Sequence, residues 1–198
     1  MNLPNKLSVI RIFMVPVFIA FGLFSFPGDN GALISRIVAA LIFLLAAITD
    51  FVDGKIARKY NLITDFGKFI DPLADKFLVF SAILVFISSD LFHAEGYLHI
   101  ALVISGAIVI FRELAVTSLR LVVMSSDKPV VIAASFYGKA KTFSQCIWAM
   151  IVMLEPVLLP FIPCSALTWV STVVMTILTV LSGVDYMKTY WSYMDPGK

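Results

Sequence analysis

Long apolar segments dominate this sequence and restrict the folds that are open to it. Six stretches are apolar enough, and close enough to the roughly 20 residues that a bilayer requires, to cross a membrane as helices. They cover residues 8–26, 33–57, 70–90, 97–123, 137–156 and 165–187. The sequence therefore predicts an all-α, polytopic membrane protein with six transmembrane helices.

The composition supports this class and leaves little room for a second domain. Of 198 residues, 60% are hydrophobic and only 14% are charged, whereas soluble domains carry roughly 25% charged residues. Soluble binding modules and disordered proteins are thereby excluded, and we treat residues 1–198 as a single transmembrane domain. The first apolar segment lacks a small-residue cleavage site, so we interpret it as a retained helix rather than a signal peptide.

The distribution of Lys and Arg indicates an orientation in the membrane. If the N-terminus is cytoplasmic, every Lys and Arg except Arg36 falls at or near a cytoplasmic end of a span. This bias is the one that the positive-inside rule describes. We therefore expect a plasma-membrane protein with both termini in the cytoplasm and a polar cavity that faces the same side.

Four aspartates interrupt the apolar pattern, namely Asp50, Asp53, Asp71 and Asp75. An ionised carboxylate at the centre of a bilayer costs about 3 kcal/mol on insertion scales, so the group requires compensating cations. Since three- and four-residue steps recur on one helix face, the spacing predicts two carboxylate pairs on two neighbouring antiparallel helices. Gly67 interrupts the pattern between the pairs, and Asp71 followed by Pro72 marks either a helix start or a kink.

A cluster of carboxylates without His or Cys favours Mg²⁺ or Mn²⁺ as its counter-ion. Four negative charges are better matched by two such ions than by one, and paired metals clamp the oxygens of a transferring phosphoryl group. The pattern therefore predicts a two-metal phosphotransfer site at a membrane surface. Intramembrane acids also occur in divalent-cation transporters, which remain an alternative. A purely structural scaffold gives no reason for the acids.

The spacing of the acidic segment resembles a known family signature. The pattern D-x2-D-G-x2-A-R-x8-G-x3-D-x3-D is met by Asp50, Asp53, Gly54, Ala57, Arg58, Gly67, Asp71 and Asp75. This resembles the signature of the CDP-alcohol phosphatidyltransferase family. The resemblance covers nearly the whole chain, and it implies a six-helix fold, a CDP-diacylglycerol donor and a homodimer.

The resemblance also implies roles for individual residues. Asp50, Asp53 and Asp71 would be the main metal ligands, and Asp75 would combine metal binding with the role of general base. The CDP site would be lined by Asp50, Asp53, Gly54, Ala57, Arg58 and Gly67. Among these, Arg58 would lie near the diphosphate, and Gly67 would give the nucleotide room.

A second, basic cluster bears on the acceptor alcohol. It comprises Arg112, Arg120, Lys139 and Lys141. These cations lie on the same predicted side as the aspartates and could bind a phosphate, although the positive-inside bias and an ion pair with Glu113 would also explain them. From the residues alone both interpretations stay open.

Three segments resemble those of family members that use sn-glycerol 3-phosphate: NLPNKLSVIR, RELAVTSLR and YGKAKT. The resemblance implies that the basic cluster holds the phosphate of this acceptor, with Thr117 as a further contact, and that the products are phosphatidylglycerophosphate and CMP. Inositol phosphate, serine or phosphatidylglycerol are alternative acceptors. Membrane lipids are expected partners and nucleic acids are not.

Overall fold

The computed structural model describes residues 2–60, 64–92, 96–125, 136–158 and 165–191. In chain order the α-helices are α1 (Leu3–Leu23), α2 (Gly31–Lys59), α3 (Asp65–Ser88), α4 (Tyr97–Ser125), α5 (Phe136–Leu158) and α6 (Ala166–Tyr190). A short 3₁₀ turn at Asp90–Phe92 precedes α4. The described ranges contain no strand, so the prediction of an all-α chain is confirmed there.

Four of these helices are long and apolar enough to cross a membrane by length and composition. They are α1, the Gly31–Gly54 part of α2, the Tyr97–Met124 part of α4, and α6. The described parts of α3 and α5 carry the charged groups discussed below and do not reach the same apolar standard. The multi-pass prediction is therefore supported, and the crossing of the membrane by α3 and α5 remains a prediction.

The helices pack as two groups of three, each with one helix in the middle. α1 lies against both α2 and α3, which touch each other little, and α6 lies against both α4 and α5. The prediction that α2 and α3 are direct antiparallel neighbours therefore needs correction. α1 comes between them because it carries a buried arginine, Arg11, whose charge must be paired inside the bundle.

Aromatic side chains join the two groups of helices. Phe86 of α3 meets Trp148 of α5 edge-on, with ring centroids 5.3 Å apart, and Trp148 Nε1 donates to Thr172 Oγ1 of α6 at 2.9 Å. On the outer faces, large apolar side chains such as Phe111 and Phe143 are exposed. Because lipid removes the hydrophobic drive for helix association, close packing and buried polar contacts must hold the bundle together.

The start of α3 differs from the sequence prediction. Thr64 caps the helix, and its side-chain oxygen accepts from the backbone N–H of Gly67 at 3.0 Å. α3 therefore begins at Asp65, and Gly67 lies inside its first turn instead of interrupting the pattern. Pro72 also lies within α3, so Asp71 does not mark a helix start.

Glu155 connects α5 and α6 at the end of the bundle opposite the aspartates. Its buried carboxylate accepts from the backbone N–H groups of Leu167 and Thr168, at 2.9 and 2.8 Å, and from Thr168 Oγ1 at 2.6 Å. The first N–H groups of a helix lack partners within the helix, and a negative charge there also interacts favourably with the helix dipole. Glu155 therefore caps α6 from a different helix.

We expect Glu155→Ala to lower the free energy of unfolding by about 2 kcal/mol, because hydrogen bonds to a charged group are lost and buried donors stay unpaired. For a chain of this size the melting temperature should fall by roughly 4–8 °C. Thermal unfolding in detergent, followed by tryptophan fluorescence, measures the change. The control is Thr189→Ala, which removes an exposed hydroxyl from the same helix. Equal melting temperatures for the two variants would contradict the capping role.

Candidate functional site

An arginine from α1 holds the two aspartates of α2. Arg11 Nη2 donates to Asp53 Oδ2 at 2.6 Å, and Arg11 Nη1 lies 2.8 Å from Asp50 Oδ1. Arg11 Nε donates to the carbonyl of Ala46 at 3.1 Å. Arg11 is fully buried and Asp53 nearly so, whereas the Asp50 side chain is 42% exposed. Part of the compensating positive charge that the aspartates require thus comes from the chain itself.

The same face of α1 also contacts the start of α3. Ser8 Oγ donates to Asp71 Oδ1 at 2.5 Å, and Asn5 Nδ2 donates to Thr64 Oγ1 at 2.9 Å. Asn5, Ser8 and Arg11 are spaced three residues apart, so they share one helix face. We call these three residues the α1 polar face. It links the aspartates of α2 to those of α3.

The carboxylates of the two helices lie close enough to influence one another. Asp53 interacts electrostatically with Asp50 and Asp71, and Asp75 interacts with Asp50. Both pairs therefore lie at the same end of the bundle, as their spacing predicts. We call the four residues the aspartate cluster.

The chemistry of the aspartate cluster fits a hard divalent cation, since its ligand atoms are carboxylate oxygens. The carboxylates are not arranged as a set of metal ligands. Among the described residues, no three His, Cys, Asp or Glu side chains are grouped so that they could hold a metal ion. Instead, Arg11 bridges Asp50 and Asp53. A cation would therefore require at least one carboxylate to change its contact with Arg11.

The residues expected to line a nucleotide site are described only in part. The side chains of Ala57 and Arg58 lie outside the described part of the chain, whereas Gly54 is half-buried on α2. At Gly67, a Cβ atom would lie 2.9 Å from Asn5 Oδ1 and 3.7 Å from Asp71 Oδ2. The missing side chain of Gly67 therefore allows the α1 polar face to approach α3 beside an aspartate.

Two cations of the basic cluster share one carboxylate. Lys141 Nζ donates to Glu113 Oε1, and Arg112 Nη1 donates to the same oxygen at 3.3 Å. Arg112 Nη2 also donates to Ser182 Oγ of α6. Arg112 and Lys141 are both buried. Because Asp75 interacts electrostatically with Lys141 and Glu113, this ion-pair network lies next to the aspartate cluster.

Arg120 and Thr117 lie at the edge of this network. The guanidinium of Arg120 donates to the Tyr186 hydroxyl at 3.3 Å. Thr117 Oγ1 accepts from Lys76 Nζ and donates to the carbonyl of Glu113 at 2.7 Å. Lys76 is a further cation that the sequence did not single out.

Lys139 is separated from the other cations. It is exposed on α5, and a two-residue step turns it roughly 200° away from Lys141 around the helix. The structure thus brings Arg112 and Lys141 together around Glu113, keeps Arg120 at the edge, and leaves Lys139 on another face.

The α1 polar face and Glu113 were not among the predicted site residues. A signal for the first was present in the sequence: polar side chains at three-residue spacing enter an apolar segment, and one of them, Arg11, is charged. A charge of that kind within a span requires a partner. The signal for Glu113 is weaker, because an acid beside Arg112 also forms a simple local ion pair.

A groove of about 680 Å³ lies on the outer side of α4 and α6. Its walls are mainly apolar and include Phe111 and Trp191, with Arg112 and Lys188 as its charged members. It adjoins the basic cluster and does not lie over the aspartates. The polar cavity expected above the aspartates therefore remains a prediction.

Comparison with known proteins identifies the family. Residues 1–183 match the family model described as CDP-alcohol phosphatidyltransferase. The chain belongs to this family. The resemblance inferred from the aspartate segment is thereby confirmed, and it extends to the helices that carry the basic cluster.

Curated relatives of this phosphatidyltransferase match along nearly its whole length. It is 37% identical over 200 residues to a Bacillus subtilis protein named CDP-diacylglycerol–glycerol-3-phosphate 3-phosphatidyltransferase, covering 96% of this chain and 95% of the relative. A Rickettsia felis protein of the same name is 34% identical, with 97% of each chain covered. A Mycobacterium tuberculosis protein named probable phosphatidylglycerophosphate synthase is 39% identical, covering 94% of this chain and 80% of the relative.

Proposed function

We propose that this protein transfers the phosphatidyl group of CDP-diacylglycerol to sn-glycerol 3-phosphate, giving phosphatidylglycerophosphate and CMP. Its family membership and its full-length similarity to relatives named for this reaction support the proposal. The observation that carries it is buried Lys141, which interacts electrostatically with Asp75 and shares the carboxylate of Glu113 with buried Arg112. An acceptor such as glycerol 3-phosphate requires an acid that accepts the proton of its hydroxyl, and it requires cations that bind its phosphate.

The donor is bound at the aspartate cluster. Asp50, Asp53, Asp71 and Asp75 would hold two Mg²⁺ or Mn²⁺ ions, which supply neutralisation of the diphosphate and stabilisation of the leaving CMP. Gly54, Ala57 and Gly67 leave room for the nucleotide, and Arg58 contacts its diphosphate. The acyl chains stay in the lipid while the head group reaches the polar end of the bundle.

The acceptor is bound by its phosphate at the basic cluster. Arg112 and Lys141 are the inner contacts, because both are buried and pair with Glu113, and because Lys141 and Glu113 interact electrostatically with Asp75. Arg120, Lys139 and Thr117 act further out, where they attract and orient the acceptor. An incoming phosphate takes over the two cations that donate to Glu113, Arg112 and Lys141.

The reaction proceeds by direct displacement. Asp75 takes the proton from the acceptor hydroxyl, whose oxygen attacks the phosphorus that bears diacylglycerol, and the bond from that phosphorus to CMP breaks. A direct displacement needs no activated nucleophile on the protein, although the hydroxyl of Ser8 contacts Asp71. Ser8 is fully buried, and the single proton of its hydroxyl is shared between Asp71 and the carbonyl of Pro4. It therefore serves as a structural contact and not as a nucleophile.

The membrane arrangement follows from the charge distribution. All six helices cross the plasma membrane, and the aspartate cluster, the basic cluster and both termini face the cytoplasm, as the positive-inside bias supports. This orientation gives the site access to water-soluble glycerol 3-phosphate and to CDP-diacylglycerol in the inner leaflet. The functional unit is a homodimer.

An acceptor panel tests the function. Purified protein in detergent–lipid micelles is given CDP-diacylglycerol with glycerol 3-phosphate, inositol phosphate, serine or phosphatidylglycerol, each with Mg²⁺, Mn²⁺ or a chelator. We expect lipid product and CMP only with glycerol 3-phosphate and a divalent cation. Turnover with another acceptor would reassign the substrate, and turnover with chelator would remove the metals from the mechanism. Metal uptake into sealed vesicles without lipid product would favour a transporter.

A further inference from the structure

Arg11 and the divalent cations of the proposed reaction need the same carboxylates. We propose that Arg11 is a built-in counter-ion that neutralises Asp50 and Asp53 in the metal-free protein, and that the cation takes Asp50 from it while Asp53 stays paired. This inference rests on the proposed metal site. It assigns to Arg11 the role of a positioning residue that sets the affinity of the site for its cation.

Arg11 is the fixed partner in this exchange. Its Nε and Nη2 atoms donate to the carbonyl of Ala46 and to Asp53 with hydrogen-bond geometry. The side chain is fully buried, and α1 is held between α2 and α3. Moving the guanidinium would leave a buried charge without a partner, which is costly. The exchange must therefore occur through motion of a carboxylate.

Asp50 is the carboxylate that can move. Arg11 Nη1 approaches Asp50 Oδ1 to 2.8 Å, but among the described residues this nitrogen has no partner with hydrogen-bond geometry. A close contact that is poorly aligned is weaker than an aligned one. The Asp50 side chain is also 42% exposed, compared with 6% for Asp53. A cation that arrives from solvent therefore reaches Asp50 before Asp53. It also competes there with the weaker of the two contacts that Arg11 makes with the aspartates.

The exchange has a thermodynamic consequence. If the cation reduces the interaction of Arg11 with the aspartates, then Arg11 must by the same factor reduce the affinity for the cation. Removing Arg11 should therefore tighten cation binding. If Arg11 only held the fold together, its removal would weaken cation binding or leave it unchanged. The opposite signs separate the two roles.

The test measures Mn²⁺ binding to purified protein in detergent by electron paramagnetic resonance, without either lipid substrate. For Arg11→Gln we expect the dissociation constant to fall about tenfold. In the presence of chelator, the same variant should have a lower melting temperature than wild type. Its melting temperature should rise more than that of wild type when Mn²⁺ is added. For Arg11→Lys, which keeps the charge but cannot bridge two carboxylates, we expect about threefold tighter binding. Unchanged or weaker Mn²⁺ binding in both variants would overturn the proposal.

Two further variants make the outcome specific. Arg36→Gln changes an arginine at the opposite end of α2, where it contacts the carbonyl of Leu91, and should leave Mn²⁺ affinity unchanged. Asp71→Asn should weaken Mn²⁺ binding if the aspartates hold the metal. If Asp71→Asn binds Mn²⁺ as tightly as wild type, the proposed metal site itself is wrong. If Asp71→Asn loses Mn²⁺ binding but the Arg11 variants do not bind more tightly, only the proposed exchange between Arg11 and the cation is wrong. Should Arg11→Gln not fold, the Lys variant decides.

Discussion

Replacing Asp75 with asparagine is expected to reduce kcat for phosphatidyl transfer by about 10³-fold, because the variant keeps the shape of the side chain but cannot accept the proton of the acceptor hydroxyl. Asp75 is the aspartate that interacts electrostatically with Lys141 and Glu113, so it lies towards the proposed acceptor site. Formation of labelled phosphatidylglycerophosphate from labelled glycerol 3-phosphate, at saturating donor and cation, measures the loss.

The matched control for this prediction is Asp65→Asn. Asp65 lies in the first turn of the same helix and is exposed, and its change removes the same charge without touching the aspartate cluster. We expect its kcat to stay within about twofold of wild type, as surface changes have small effects. Turnover by Asp75→Asn within tenfold of wild type would show that another group takes the proton. Measuring the Mn²⁺ affinity of Asp75→Asn separates the loss of a general base from the loss of a metal ligand.

Local periodicity explains why much of the architecture could be predicted from the sequence. The aspartates stand three or four residues apart, and a helix places such residues on one face wherever it lies in the bundle. The family signature identified the family, and the roles that it implies for the aspartates remain predictions. Lys139 and Lys141 show the limit of reasoning by charge alone, because two residues of the same type and nearly the same position point to different faces of α5.

The start of α3 shows a competition between two local signals. Glycine disfavours helices, so Gly67 predicts a break. Thr64, three residues earlier, is a good N-cap, and α3 begins directly after it. Threonine capping is worth about 1 kcal/mol, comparable to the cost of one glycine in a helix. In addition, the contact of α1 with Gly67 is tertiary and could not be read from neighbouring residues.

The position of α1 is the largest feature that sequence reasoning missed. Apolar segments have no local pattern that tells which helix packs against which, and chain order favoured α2 beside α3. The polar groups decide the matter: Arg11 pairs with α2 and Ser8 with α3, so α1 must lie between them. Four acids in an otherwise apolar sequence thus predict a partner cation but not the helix that supplies it.

Internal charges pair with both halves of the proposed site. Arg11 lies against Asp50 and Asp53, where the proposed function places divalent cations, and Glu113 pairs with Arg112 and Lys141, where it places the acceptor phosphate. Such pairing avoids the large cost of a lone charge in a low-dielectric interior. Under the proposed function, binding therefore exchanges one ion pair for another.

The largest effect on acceptor binding is expected for Lys141→Gln. Loss of one partner from a buried, hydrogen-bonded charge pair costs about 2–5 kcal/mol, so the KM for glycerol 3-phosphate should rise about 100-fold while kcat changes much less. Among the described residues, Glu113 then keeps its ion pair with Arg112 and competes more strongly with the phosphate for that cation. Steady-state kinetics over a range of glycerol 3-phosphate concentrations measures KM and kcat separately. The control is Lys6→Gln, an exposed cation of α1, which should leave KM unchanged. If the KM of Lys141→Gln stays within threefold of wild type, the acceptor phosphate does not bind at Arg112 and Lys141.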